Sequence, residues 1–444
     1  MRHNFFRLTS GNSVEFFLEC PGYYEKYLQL IDSAQKTLHL QTYIFEPDGF
    51  GNEVQAALIR AAQRGVAVFL LVDSVGSRKL TSEASQKMIK AGIHFCRFNG
   101  LQIKWLYQWG RRLHHKILLI DHQKAFVGGI NVISSCYNSK TLKPQLDFAL
   151  YLEGPVTLGL TRYCHYVFRK SSAKKIKFKS PLATECINHV PGIDLKISIN
   201  DWVLRRWQIT RQYSTLTKIA QSDITIVNSY FFPRKKFMRQ LAAASKRGVK
   251  VRLILPKISD WPSYILASQY LYAYFLKHGI EIYEWKNSIL HGKLATIDNT
   301  WATVGSFNLN YTSYQQNLEM NVNILSKEIT STINQSIEQI INTGCDKINA
   351  EEFILKRSFG VKLKRFFYYV IMAMLANFSV GLIFQDDERG RKRRFYSIIR
   401  VTASVVLFII GVIGALVPVM PGLPFLLISF LLLYRQIVLN NRNV

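Results

Sequence analysis

Hydrophobic and polar positions alternate along this chain in two periods. Runs such as LHLQTYIF at 38–45, AVFLLVD at 67–73, ITIVNSYFF at 224–232 and VRLILP at 251–256 read as strands, several apolar on both faces. Between them, segments such as AALIRAAQRG and QLAAASKRG carry apolar residues at helical spacing and end in a basic residue, Gly and Val. Helix and strand therefore alternate, which predicts α/β layers. The pattern also repeats. The stretch from about 31 to 156 matches that from about 219 to 328, with AGIHFCRF at 91–98 answered by HGIEIYEW at 278–285. A duplicated α/β body with pseudo-two-fold symmetry follows. A site shared by the halves belongs at the symmetry interface.

The C-terminus breaks this rhythm. Val401 to Tyr434 carries no charged residue, enough for about 50 Å of helix at 1.5 Å per residue. Pro418, Pro421, Gly422 and Pro424 interrupt it, so we expect a membrane hairpin of two short helices, roughly 401–417 and 424–439. Arg391, Arg393, Arg394 and Arg435 flank it, which places both ends on the cytoplasmic side. Phe366 to Phe384 is also uncharged but has basic residues on both sides, which favours a helix lying in the interface. The expected boundaries are 1–160 for the first half, 161–215 for a connecting segment and 216–350 for the second half. A membrane-associating segment at 351–400 and the hairpin at 401–444 complete the chain.

Charge narrows the partner. The net charge is +28 with only 19% charged residues, which points to an anionic polymer or an anionic membrane surface. Basic residues cluster at Lys174, Lys175, Lys177 and Lys179 and around KWLYQWGRR at 104–112, beside aromatic side chains. Such a segment suits lipid phosphate at the interface, and also single-stranded nucleic acid. The apolar tail argues against a nuclease. Six cysteines show no CxxC spacing, so neither a zinc site nor a disulfide framework is expected. The N-terminus carries no secretory signal pattern.

The chemistry sits in a motif present once per repeat. HHKILLIDHQKAFVGGIN places His114, Lys116, Asp121 and Asn131; HGKLATIDNTWATVGSFN places His291, Lys293, Asp298 and Asn308. On a strand, positions i and i+2 share a face, so His and Lys project together. Two copies supply two imidazoles, two ammonium groups and two amides, a constellation for a phosphodiester. Lysine and asparagine stabilise phosphoryl oxygens; one histidine attacks phosphorus and the other protonates the leaving alkoxide. Neither metal nor cofactor is required. Asp121 and Asp298 belong to the motif, but their place at the turn reads as structural. Each imidazole needs an acceptor to fix its tautomer. Asp147 and Glu319, following their motifs at similar distances, are the candidates.

At these motifs the sequence resembles the phospholipase D superfamily, and more closely the bacterial cardiolipin synthases of the B type, over roughly 10–365. NSYFFP at 228–233, Arg111 and Arg112, and KRSFGVKLKRFF at 356–367 add to the likeness. The resemblance implies duplicated α/β/α sandwich halves and a two-step phosphatidyl transfer without cofactor. It implies phosphatidylglycerol as donor and acceptor, with cardiolipin and glycerol as products. By position, His114 would be the nucleophile and His291 the general acid and then base. The implied place is the bacterial inner membrane, with the catalytic part facing the cytoplasm. His115 departs from the pattern, since arginine is common there, and the C-terminal hairpin is an addition. Hydrolysis, transfer to another alcohol, and nuclease action are the alternatives the same chemistry allows.

Overall fold

The computed structural model describes residues 6–19, 21–99, 110–134, 145–173, 178, 192–355, 358–381, 428–432 and 434. The chain divides into two compact units, Met1–Lys104 with Arg111–Phe359, and Trp105–Gly110 with Gly360–Val444. Both repeats lie in the first unit.

The first repeat comprises β1 (Thr9–Leu18), α1 (Pro21–Ser33), β2 (Thr37–Thr42), α2 (Gly49–Gln63), β3 (Ala67–Asp73), α3 (Ser82–Lys90) and β4 (His94–Phe98). It continues with β5 (Arg112–Leu113), β6 (Lys116–Ile120), β7 (Lys124–Gly128), β8 (Phe148–Glu153) and α4 (Val156–Ser171). The second comprises β9 (Ile193–Asp201), β10 (Arg206–Trp207), α5 (Gln208–Ile219), β11 (Asp223–Asn228), α6 (Lys235–Lys246), β12 (Lys250–Pro256), α7 (Pro262–Lys277) and β13 (Glu281–Trp285). Then come β14 (Lys293–Ile297), β15 (Trp301–Gly305), α8 (Tyr311–Gln315), β16 (Asn317–Leu325), α9 (Lys327–Gly344), β17 (Cys345–Lys347) and α10 (Ala350–Leu355).

Strand pairing gives the same sheet twice. The first runs β4-β3-β2-β6-β7-β8-β1, with β2, β3 and β4 parallel and the rest antiparallel. The second runs β13-β12-β11-β14-β15-β16-β9 in the same sense, with β17 added beside β13. β1 also pairs with β9, which joins the sheets. The central strands are buried along nearly their whole length, which is why they read as continuous apolar runs. The helix-to-strand turns need Gly65 and Gly248, whose φ values of 89° and 93° disfavour any residue with a Cβ.

Two layers of core hold this body. One cluster joins Leu150 and Leu152 of β8, Ile197 of β9 and Met320 of β16 with Leu160 of α4 and Ile337 of α9, so it belongs to both repeats. Another packs α1 and α2 through Tyr23, Tyr27, Val54 and Leu58 onto the opposite face of the first sheet, against Leu40 and Leu118. Helix, sheet and helix thus form the layers expected of an α/β sandwich.

In the second unit, α11 (Phe359–Gly381) covers most of the apolar stretch beginning at Phe366. Among the described residues no helix is long and apolar enough to cross a membrane. The expected hairpin at 401–439, apart from a few helical residues near 430, lies outside the described residues. So do the aromatic and basic stretch 104–109 and the lysines at 174–177 and 179.

The turn aspartates are structural ties. Asp121 and His122 take left-handed φ values of 49° and 64°, and Asp298 and Asn299 of 52° and 50°. Asp121 accepts backbone hydrogen bonds from Gln35, Lys36 and Thr37 at 2.7–2.9 Å. Asp298 accepts them from Gln221, Ser222 and Asp223 at 2.8–3.2 Å. Asp121 thus ties the β6–β7 turn to the start of β2, and Asp298 ties the β14–β15 turn to the start of β11. Asp298→Ala should lower the unfolding free energy by about 1–3 kcal/mol through the backbone donors it strands. Urea denaturation followed by circular dichroism measures this; a change below about 0.5 kcal/mol would contradict the assigned role.

Candidate active site

His114 and His291 lie just ahead of β6 and β14, and backbone contacts between the repeats fix both. The N–H groups of His114 and His115 donate to the Leu318 carbonyl at 3.0 Å. Those of His291 and Gly292 donate to the Leu146 carbonyl at 2.9 and 2.8 Å. Leu318 and Leu146 are the residues immediately before Glu319 and Asp147. Each motif is therefore stitched to the strand that carries the other repeat's carboxylate.

The side chains follow the same crossing. His114 Nδ1 lies 2.9 Å from Glu319 Oε2, and His291 Nδ1 lies 2.6 Å from Asp147 Oδ2. Sequence distance associates Asp147 with His114 and Glu319 with His291. The structure instead pairs each imidazole with the carboxylate of the other repeat. With Nδ1–H donating to a carboxylate, Nε2 is left as the free lone pair on each ring.

The lysines curl back over the histidines. Lys116 Nζ donates to the His114 carbonyl at 2.7 Å, and Lys293 Nζ donates to the His291 carbonyl. Both are buried. Asn131 and Asn308 have their amide oxygens occupied, by the Ile44 N–H at 3.2 Å and the Ser229 hydroxyl at 2.8 Å. That orientation leaves each amide NH2 as the donor for a ligand. Asp121 and Asp298 are at the far ends of β6 and β14, five residues from the lysines. At about 3.3 Å per residue this is some 16 Å, so these two carboxylates do not reach the imidazoles.

The electrostatics favour an anionic guest. Burial lowers the Lys116 pKa to about 7, with repulsion from Lys293 acting the same way. Burial also lowers Lys293. His291 is pushed down to about 4, by burial first and Lys293 second. Burial lowers His114 too, although Glu319 pulls the other way. For Asp147 and Glu319, burial pushes the pKa up, but the paired imidazole and nearby lysines outweigh it and hold each below its ordinary range. Two neutral imidazoles and two mutually repelling ammonium groups therefore face each other. A phosphodiester anion relieves that repulsion.

The two carboxylates are not equally supported. Glu319 also receives hydrogen bonds from Ser306 at 2.5 Å, Ser313 at 2.7 Å and Asn317 at 3.0 Å. Asp147 has the Phe148 N–H at 2.7 Å. The position matching Ser306 is Gly129, where a Cβ would stand 2.1 Å from Asp147 Oδ1, so the shorter acid backs onto bare backbone. Tyr43, at the end of the β2 run, places its ring 5.1 Å from that of His114 and 5.7 Å from Lys116 Nζ. Sequence reasoning assigned no role to Tyr43, Ser313 or Asn317. Tyr43 stands in the repeated strand run, the one signal that pointed to it. His115 lies buried beneath the site, 2.9 Å from Gln41 Oε1, as a packing residue. Arg111 is fixed by a bidentate pair with Asp201 at 2.8 and 2.9 Å, and Arg112 sits 3.5 Å from Asp73. Among the described residues no group of three or more His, Cys, Asp or Glu is arranged to hold a metal ion.

Known proteins resemble this chain in sequence and fold. The family model described as "Cardiolipin synthase, PLD-like domain" matches residues 27–141 and 214–341, one match over each motif. The chain is 32% identical over 356 residues to "Cardiolipin synthase B" of Shigella flexneri, covering 78% of this chain and 84% of that one. It is 28% identical over 359 residues to "Cardiolipin synthase 1" of Staphylococcus epidermidis, covering 80% and 73%. A crystal structure of phosphatidylserine synthase from Haemophilus influenzae superposes with a TM-score of 0.65 at 12% identity, over 82% of this chain and 94% of that one. That likeness carries the fold.

The pH dependence of binding follows from Lys116. Its protonated form is the one that would attract a phosphodiester anion, and its pKa in the empty site is about 7. Affinity for a short-chain dialkyl phosphate, a monoanion throughout, should be constant below pH 7. Above that it should weaken by up to about tenfold per pH unit, until the pH passes the pKa of the occupied site. Calorimetric titration from pH 6 to 9 measures this; a flat Kd would contradict it.

Proposed function

The chain belongs to the cardiolipin synthase, phospholipase D-like family, and from that premise we propose that it is a phosphatidyltransferase making cardiolipin and glycerol from two phosphatidylglycerol molecules. The observation that carries the reading is the crossed pair of motifs. Two imidazoles with free Nε2 atoms, two buried lysines and two amide NH2 groups converge from the two repeats.

The chemistry divides as follows. Lys116, Lys293 and the amides of Asn131 and Asn308 hold the phosphoryl oxygens and stabilise the charge that develops on them. His114 Nε2 attacks phosphorus, and the bond from phosphorus to the glycerol oxygen breaks. His291, whose pKa rises once the substrate anion offsets the lysines, gives its proton to that oxygen. Phosphatidyl-His114 and glycerol result. A hydroxyl of a second phosphatidylglycerol then attacks phosphorus while His291 takes its proton, and the phosphorus–nitrogen bond breaks to release cardiolipin. Glu319 and Asp147 hold the tautomers and offset the imidazolium charges.

The place of action is the bacterial cytoplasmic membrane, with the site facing the cytoplasm. The net charge of +28 and the uncharged stretch 401–434 support it. The partners are anionic phospholipids.

Purified chain in vesicles containing labelled phosphatidylglycerol should release glycerol and cardiolipin in equal amounts. His114→Ala should abolish both, and His291→Ala should slow them by about 10²–10⁴-fold. Cleavage of DNA with no lipid product would overturn the reading, and wild-type turnover in either variant would overturn the division of roles.

A further inference from the structure

The two sides of the site differ at one equivalent position. Gln41 pairs with Ile117 as Val227 pairs with Leu294, so Tyr43 of the first repeat, two residues on, corresponds to Ser229 of the second. The neighbouring parallel strand ends at Asp73 in one repeat and at Pro256 in the other, and Gly76 corresponds to Ser259. On the first side the space is filled. The Tyr43 ring lies beside His114, and a Cβ on Gly76 would fall 2.7 Å from that ring. Asp73 is engaged by the Val75, Gly76 and Leu113 N–H groups at 2.9–3.0 Å.

On the second side the ring is missing and a cleft takes its place. Ser229, Pro256, Ser259, Tyr264, Ser268 and Tyr272 line it, and its enclosed end has room for about one water-sized group. Five of these lining residues carry hydroxyls, Ser229 and Ser259 just past the strand ends and Tyr264, Ser268 and Tyr272 on α7, and the Ser268 Oγ is the decisive one. Ser268 is 5% exposed, and its hydroxyl has no hydrogen-bond partner. A buried hydroxyl without a partner costs free energy that a ligand hydroxyl returns. In the first repeat, Ser85 on the corresponding helix spends its hydroxyl on the Thr81 and Ser82 carbonyls. Ser229 also ties the cleft to the phosphate-binding amide, because its hydroxyl donates to Asn308.

We infer that this cleft on the His291 side is the subsite for the alcohol that leaves and enters, and that Ser268 hydrogen-bonds a hydroxyl of its glycerol moiety. The inference rests on the phosphatidyl-transfer reading above and adds to it what selects the acceptor. It also gives a reason for the division of roles. The imidazole that handles alcohol protons stands beside the open, hydroxyl-lined side, and the nucleophile stands beside the side closed by Tyr43.

The test is a competition. The full-length chain, in vesicles of labelled phosphatidylglycerol and phosphatidylcholine, is offered glycerol and ethanol together. Ser268→Val should lower glycerol exchange and cardiolipin formation about tenfold relative to phosphatidylethanol formation, because ethanol has no second hydroxyl to place. Ser268→Ala, which leaves the volume open and removes only the hydrogen bond, should move the ratio the same way by less. An unchanged ratio, or equal loss of all products, in both variants would overturn the subsite while leaving the transferase reading intact. A wild-type chain that forms no phosphatidyl product with any alcohol would overturn the transferase reading, and the subsite with it.

Discussion

Each motif imidazole is held by a carboxylate from the other repeat, and the rest of the body is arranged to make that crossing possible. The Leu318 and Leu146 carbonyls fix the histidine backbones, and the next residue on each strand supplies the acid. Neither half has a tautomer-fixed histidine alone. The shared core of β8, β9, β16, α4 and α9 is what keeps the halves in register. Removing one partner of a buried pair of this kind costs about 3–5 kcal/mol. The arrangement is therefore poorly suited to stability for its own sake and well suited to holding two rings in one orientation.

Charge is the second constraint. Lys116 and Lys293 are buried together; burial lowers the pKa of both, and Lys293 lowers that of Lys116 further. Asp147 and Glu319 are committed to the imidazoles, so the lysines lack a dedicated acid of their own. An anionic phosphodiester would supply the missing charge. The two sides are alike in this chemistry and differ in their walls. Tyr43 closes one, whereas Ser229 leaves the other open to a small hydroxyl-bearing group. Near-symmetric machinery with asymmetric walls can give two imidazoles two different tasks.

Much of this was legible in the sequence because it is local. The period-two spacing of His and Lys, the glycine turns at Gly65 and Gly248 and the repeated strand runs follow from a few neighbouring residues. Asp121 and Asp298 were also readable as turn residues, and their backbone bonds are those of a turn. The crossing of the carboxylates was not readable. It joins residues 205 and 144 positions apart, and similar spacing within each repeat pointed to the wrong partner. The supports of Glu319 from Ser313 and Asn317 escaped for a related reason, since they depend on how α8 turns back onto β16. The cleft depends on one exchange, Tyr43 for Ser229, inside runs that match as strands. Composition told of an anionic partner.

The crossing is tested most directly by the burst of p-nitrophenol from a phosphatidyl-p-nitrophenol substrate. This leaving group departs without a proton, so the burst needs the nucleophile but not the general acid. If Glu319 serves His114 and Asp147 serves His291, Asp147→Asn keeps a burst close to that of the wild type and Glu319→Gln loses it. The opposite outcome, a burst lost with Asp147→Asn and kept with Glu319→Gln, would contradict the account.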